Sequence, residues 1–339
     1  MLSFLTRKTF RIFANLIGVS LIVFLMAHAI PGNPWSNYST SRRIMMNTAA
    51  DSPILRQLHH RFGLDLPLWR QYIRYVFVDI NPDGTLLCGA ICGNLGPSII
   101  QSGRPVTDVI FGSTGGNFWK SQMGYSLRLV LLGTLLTVGL GIPLGILAAM
   151  RPKSLLGRLI SPLTAALMSI PNFIIGLLAI IILASWLKVI NVLPDWNRPI
   201  DWLVPGLVLA AMPMAAISRI TRETFLNTLG EDYVRTARAK GLNERQVIIF
   251  HVLRNAAVPV LISLGPAIME MFVGLFIIEN LYSFPGMGKL YWYAVVELDY
   301  PLILGLTLVY AVFIILVNSI TEILAEAIDP RIRHTKKEV

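Results

Sequence analysis

The chain alternates between long apolar runs and short clusters of charge. A helix needs about 20 largely apolar residues to cross the hydrocarbon of a bilayer. Six runs approach or exceed that length: Phe10 to Ile30, Ser126 to Met150, Leu159 to Leu187, Trp202 to Ile217, Val258 to Ile278 and Leu302 to Leu324. Each predicts a membrane-spanning helix. Pro143, Pro171, Pro213 and Pro266 interrupt them. Such prolines kink a span, and neighbouring groups re-satisfy the freed carbonyls. Arg7 and Lys8 precede the first run and Arg11 lies at its start, and Ala27-His28-Ala29 near its end has the small-x-small form of a signal cleavage site. It is long for a signal and reads as a retained helix.

The polar intervals set an expected orientation. Positive charge gathers at the N-terminus, at Arg151, Lys153 and Arg158, between Arg219 and Arg254, and in the tail at Arg331, Arg333, Lys336 and Lys337. With six crossings these fall on one side, and the positive-inside rule predicts that side, with both termini, to be cytoplasmic. The expected division is an N-terminal stub with the first span (1–31), a long external loop with short helices (32–124), a five-helix core (125–330) with a cytoplasmic loop at 221–255, and a cytoplasmic tail (331–339). Within the external loop, Ile54 to Phe62 and Leu68 to Val78 have helical spacing, and Pro82-Asp83-Gly84 signals a turn.

Composition agrees with this reading. Apolar residues make up 54% of the chain and charged residues 14%, the latter well below the ~25% of a soluble domain. The net charge of +10 does not point to nucleic acid, because the charges lie between apolar runs rather than along one face. The expected class is an all-α integral membrane protein.

Little catalytic chemistry is visible. A phosphate-binding loop fails at both ends: Leu290 follows Gly288-Lys289, and Ser283 stands five residues before Gly288. His59 and His60 are adjacent, so on a helix they would point about 100° apart and make a poor ligand pair. No metal site is expected. Cys88 and Cys92, in the external loop, are either bridged or two free small residues. The spans read as almost free of charge. Glu270 lies mid-span, and a carboxylate there suggests a translocation pathway or a hydrogen bond to a neighbouring helix. Glu279, near the outer end of the same run, reads as a solvated interfacial residue with a weaker pathway alternative. Glu322 and Asn318 read as packing or interfacial groups.

The segment from Thr221 to Asn255 is too long and polar for a simple turn. The stretch ending at Ala239 favours helix, Gly241 fits a helix stop in the left-handed region, and Asn243 can cap a second helix with Glu244 in its first turn. A helix, a sharp turn and a second helix would form either a docking finger or an ordinary surface hairpin.

This segment resembles the cytoplasmic EAA loop of ATP-binding-cassette (ABC) importer permeases, in which an E-A-A triplet precedes a glycine. Arg235-Thr236-Ala237 stands at the triplet and Gly241 at the glycine, as in the oligopeptide/dipeptide branch, and His251-Val252-Leu253-Arg254-Asn255 is similar to that branch as well. The series continues along nearly the whole chain. It includes Pro31-Gly32-Asn33-Pro34, Phe62-Gly63-Leu64-Asp65, Gly93-Asn94-Leu95-Gly96, Phe284-Pro285-Gly286-Met287-Gly288, Asp299-Tyr300-Pro301 and Asp329-Pro330-Arg331-Ile332-Arg333.

The resemblance implies a type I ABC importer permease fold. It also implies a transport subunit that is not itself an enzyme and binds no cofactor, with ATP and Mg held by partner subunits. The implied partners are a second homologous permease, two ATP-binding subunits, an extracytoplasmic solute-binding protein and membrane lipid. Coupling residues carried over onto this sequence are Asp232, Tyr233, Arg235, Thr236, Ala237, Lys240, Gly241, Leu242 and Arg245. A membrane scaffold, or a secondary transporter without ATPase partners, is the alternative.

Overall fold

A computed structural model describes residues 2–30, 60, 63–80, 86–99, 101–191 and 194–328. Pro31 to Pro34, the expected helix at 54–62 apart from His60, the turn at Pro82-Asp83-Gly84 and the segment from Asp329 into the basic tail lie outside the described residues. In chain order the helices are α1 (Leu2–Ala29), α2 (Leu68–Val76), α3 (Val106–Phe111), α4 (Gln122–Leu136), α5 (Ile142–Met150), α6 (Leu155–Ser169), α7 (Asn172–Ala179), α8 (Pro199–Leu229), α9 (Asp232–Ala239), α10 (Arg254–Leu281), α11 (Met287–Val296) and α12 (Tyr300–Ile328). The strands β1 (Val78–Ile80) and β2 (Leu86–Cys88) pair antiparallel, with Val78 opposite Cys88. The helix expected to reach Val78 therefore stops at Val76, and the chain continues as a strand.

Among the described residues, five helical stretches are long and apolar enough to cross a membrane: Ile12–Ala29, Gln122–Met150, Pro199–Leu229, Glu244–Leu281 and Tyr300–Thr321. The third expected span, Leu159 to Leu187, is broken. Gly157–Ser169 and Asn172–Trp186 meet at 102°. Pro171 is the cause: it disfavours the helical region for the residue before it, and Ile170 is extended, with φ −101 and ψ 122. Pro213 and Pro266, by contrast, stay inside continuous helices.

Two more helix boundaries differ from expectation. The fourth expected span, α8, does not end at Ile217 but continues to Leu229, because Thr221 and Phe225 keep its buried face going. The second helix of the polar hairpin runs on from Glu244 through a widened turn at Val247–Leu253 into α10. Similar widened turns join α4 to α5 at Thr137–Gly141 and extend α7 over Ile180–Trp186.

The chain groups into two compact units, one of Met1–Ser126 with Pro285–Phe313 and one of Leu127–Phe284 with Ile314–Val339. In the first, Val106, Ile110, Met123, Met287, Leu302 and Leu306 share a core. Asp299, fully buried, ties it together: its carboxylate accepts from Ser98 Oγ (2.6 Å) and from the Leu302 N–H at the start of α12 (3.1 Å). Gly89 lets the hairpin approach α2 closely, since a Cβ there would collide with the Tyr75 carbonyl oxygen.

In the second unit, α8 packs against α5 and α10. Gly141 and Gly145 let backbones meet, in the small-xxx-small pattern of membrane helices. A Cβ on Gly141 would lie 2.9 Å from the Met214 carbonyl oxygen, and one on Gly145 would collide with the Ser218 carbonyl and lie 2.7 Å from Thr221 Cβ.

Two stability outcomes follow from these contacts. Gly145→Ala should lower the thermal midpoint of the purified protein, by about 1–3 kcal/mol of overpacking. Gly139→Ala, where an added Cβ meets nothing within 4 Å, should leave the midpoint nearly unchanged. Asp299→Ala strands the Leu302 N–H and the Ser98 hydroxyl, and should cost about 1–3 kcal/mol in the same thermal melt. Equal melts for Gly145→Ala and Gly139→Ala would contradict the close packing of α5 on α8.

Candidate functional site

Only Gly230 to Asn243 separates the two long helices of the polar segment. Gly230 closes α8, and the extended Glu231 starts α9 with Asp232 in its first turn, where a carboxylate complements the helix dipole. Val234 and Ala237, at i and i+3, are the buried residues of α9. They share a core with Ala149, Phe225, Val247 and Val252. The rest of α9 faces outward: Asp232, Tyr233, Arg235, Thr236 and Arg238 are exposed, and so are Lys240 to Gln246 beyond it.

The turn that follows is tightly specified. Gly241 has φ +82, a conformation glycine adopts without the Cβ penalty. The Leu242 N–H bonds the Ala237 carbonyl (3.4 Å) and the Gly241 N–H bonds that of Arg238 (3.0 Å), the paired bonds of a Schellman stop. Asn243 then opens the next helix with a full capping box: its Oδ1 accepts from the Gln246 N–H (2.9 Å), and its own N–H donates to Gln246 Oε1 (3.3 Å).

Two side-chain links brace the reversal. Arg238 donates to both carboxylate oxygens of Glu244, at 2.7 and 3.1 Å. This hydrogen bond raises the Arg238 guanidinium above its ordinary value, so that end of the link stays charged. The pair is exposed and fixes geometry more than it adds stability. Asn255 Nδ2 donates to Tyr233 Oη (2.9 Å), joining α9 to the first turn of α10.

Of the expected coupling residues, Asp232, Tyr233, Arg235, Thr236, Lys240, Gly241, Leu242 and Arg245 are exposed. Ala237 is not. At 4% exposure it packs into the chain's own core and holds α9 in place. Spacing in the sequence could have revealed the Val234 and Ala237 anchor. It could not have revealed the Arg238–Glu244 link, because only the reversal at Gly241 brings those two together.

The expected pathway acids fare differently. Glu270 is half-buried on α10. Glu279 is not a solvated interfacial residue: it is fully buried. The chain reverses just after it, and the Phe284 N–H returns to the Glu279 carbonyl at 2.7 Å, bringing the buried Tyr282 and Phe284 back against the helix end. Phe284 stacks edge-on with Trp196 and Trp202, and the Arg128 guanidinium sits 4.4 Å from the Trp202 ring centre. Arg128 lies within α4, so the second span is less free of charge than its run suggested. His60 is exposed and pairs with Asp65 at 2.8 Å, and His59 lies outside the described residues. Asn318 donates to Met269 Sδ at 3.3 Å, a packing contact. The Glu322 side chain lies outside the described set. Cys88 and Cys92 form a disulfide with Cα atoms 5.8 Å apart, within the usual span for a bridge.

Comparison with known proteins places these features in a family. Residues 141–334 match the family described as binding-protein-dependent transport system inner membrane component, and residues 1–114 match its N-terminal membrane component. The oligopeptide transport system permease protein AppB of Bacillus subtilis is 31% identical over 343 residues, covering 98% of this chain and 100% of the relative. The dipeptide transport system permease protein DppB of Escherichia coli K12 is 31% identical over 370 residues, covering 99% and 100%. The glutathione transport system permease protein GsiC of Escherichia coli O6:H1 is 31% identical over 337 residues, covering 98% and 100%. With matches that run almost end to end across a chain of membrane-length helices, this protein belongs to the family of inner membrane components of binding-protein-dependent transport systems.

Proposed function

We propose that this chain is the transmembrane permease subunit of an ABC importer that moves peptides or similar small solutes into the cell, driven by ATP hydrolysis on partner subunits. Its relatives named for oligopeptide, dipeptide and glutathione transport support the cargo class. In this reading a second homologous permease completes the pathway, two ATP-binding subunits engage the exposed surface of α9 and its turn, and an extracytoplasmic solute-binding protein delivers cargo. A scaffold role without transport finds no support among these relatives.

The observation that carries the mechanism is the anchoring of α9. A polar helix that docks on a partner transmits force only if it cannot slide on its own protein. Val234 and Ala237 fix it against Phe225 at the end of α8 and against Val247 and Val252 at the entry to α10. Displacement of α9 by a closing ATPase pair therefore loads two membrane helices at once. ATP binding shifts the inward and outward states only to the extent that the engaged ATPases bind them differently.

Gly241→Val forces a β-branched side chain into the left-handed region. Transport and cargo-stimulated ATP hydrolysis should both fall severalfold, with normal amounts of the chain in the membrane. Retention of both activities in reconstituted vesicles would refute the coupling assignment. For orientation, we infer that α9 is cytoplasmic and the Cys88–Cys92 loop external. After reduction, the exposed Cys92 should react with a membrane-impermeant maleimide added to intact spheroplasts. Reaction confined to inverted vesicles would reverse the topology.

A further inference from the structure

Two features of the second unit do not belong in hydrocarbon, and they lie side by side. The first is the break before Pro171. It falls midway along the apolar run Leu159 to Leu187, and Ile170 and Pro171 are exposed there, with Ile170 in extended backbone. Irregular backbone at membrane depth persists only where it is buried in protein or lines a water-filled cavity. The second is Glu270, midway along α10. A carboxylate at that depth is costly, and such groups face a bundle interior or water rather than lipid. Glu270 makes no hydrogen bond or ion pair among the described residues. It shares one face of α10 with Ile262, Pro266, Val273 and Ile277, all exposed.

Helix α7 joins the two features. Asn172 opens it directly after the break, and the helix runs beside α10. Tyr282 Oη donates to the Gly176 carbonyl (3.1 Å), and a Cβ on Gly274 would lie 4.0 Å from Asn172 Nδ2. Gly274 is four residues beyond Glu270, so the Asn172 amide and the carboxylate occupy successive turns of one strip, about 6 Å apart along the axis. Asn172 Oδ1 is buried and accepts no hydrogen bond among the described residues. A buried acceptor without a donor is costly and calls for a partner. The strip therefore offers two acceptors, one of them a carboxylate. The chain supplies no counter-charge at this depth: Lys, Arg and His are absent from 129–150, 159–187, 199–218, 255–284 and 314–328.

We propose that Glu270 and Asn172 form a binding station for the α-ammonium of a peptide cargo, midway across the membrane. The proposal rests on the transport function set out above. In an importer, the water-filled cavity that both features require is the translocation route itself. A primary ammonium brings a positive charge and three N–H donors. Glu270 takes the charge and one donor, and Asn172 Oδ1 takes another. The station lowers the barrier to carrying a cation through a passage of low dielectric, where an unpaired charge is expensive. One carboxylate and one amide also hold the group weakly enough to let it go, as conduction demands. A basic side chain of a neighbouring subunit would occupy the same two acceptors permanently, and the experiment separates that occupant from cargo.

The test reconstitutes the assembled transporter in vesicles with its binding protein and a supply of ATP. Uptake is measured for dialanine, trialanine and glutathione, and for the desamino analogue of each, at concentrations that saturate the binding protein. Glu270→Gln keeps the shape and removes the charge. It should lower the maximal uptake rate of each transported peptide by about tenfold, the loss expected when a hydrogen bond to a charged group is removed. Uptake of the desamino analogues should not change. Glu270→Asp should restore most of the peptide uptake. Asn172→Leu removes an oxygen that accepts from no described residue, so the fold should persist while peptide uptake alone falls severalfold. Each variant should copurify with the second permease in the same amount as the unmutated chain. Full uptake in Glu270→Gln would overturn the station and leave the transport function standing. Equal losses for peptides and desamino analogues would do the same. So would loss of the second permease from Glu270→Gln, which would identify a neighbouring subunit's cation as the occupant. Uptake of none of these probes by the unmutated transporter would instead overturn peptide transport, and the station with it.

Discussion

Everything that the polar hairpin can do depends on a small apolar contact. Val234 and Ala237 are the buried side chains of α9, and they sit in the core formed by Phe225, Val247 and Val252. Replacing either with a charge would leave a helix of exposed Asp, Arg and Lys residues with nothing to hold it. The surrounding details make sense as ways of fixing this contact. The left-handed Gly241, the capping box at Asn243 and the Arg238–Glu244 link all shorten and stiffen the path from α9 into α10. The helix–turn–helix is thus a rigid extension of two membrane helices rather than a loop between them.

A second constraint acts inside the spans. Hydrocarbon offers backbone groups no hydrogen bonds, so each crossing must be helical. It offers no hydrophobic drive to bring helices together either, so contact depends on how closely backbones approach. Gly141 and Gly145 provide that approach to α8. Where a proline prevents continuation, as at Pro171, the chain turns sharply and both halves remain helical.

Much of this was legible in the sequence because hydropathy and local chemistry encode it directly. The apolar runs located the long helices. Gly241 and Asn243 announced the helix stop and start, since each has one dominant backbone use. The ordered series of short motifs carried the resemblance to the family. What the sequence did not reveal depends on tertiary contact. The run from Leu159 to Leu187 looked continuous, because periodicity does not say whether Pro171 kinks a helix or breaks it. Glu279 looks interfacial by position, but the fold buries it completely just before the reversal at Ser283, which has φ +53. Ala237 looked like part of a docking surface because an alanine carries no sign of which way its helix faces. The two short strands escaped notice because three residues are too few for an alternating pattern.

The widened turns at Thr137–Gly141, Ile180–Trp186 and Val247–Leu253 have a consequence for how such a chain tolerates changes of length. A turn of this kind stores one residue beyond what an α-helix needs. Loss of a single residue there can be absorbed by tightening to ordinary helical pitch, leaving the downstream faces in phase. The same loss in a regular stretch, such as between Gly206 and Leu229 of α8, would rotate everything beyond it by about 100° around the helix axis, carrying apolar faces out of register with their neighbours.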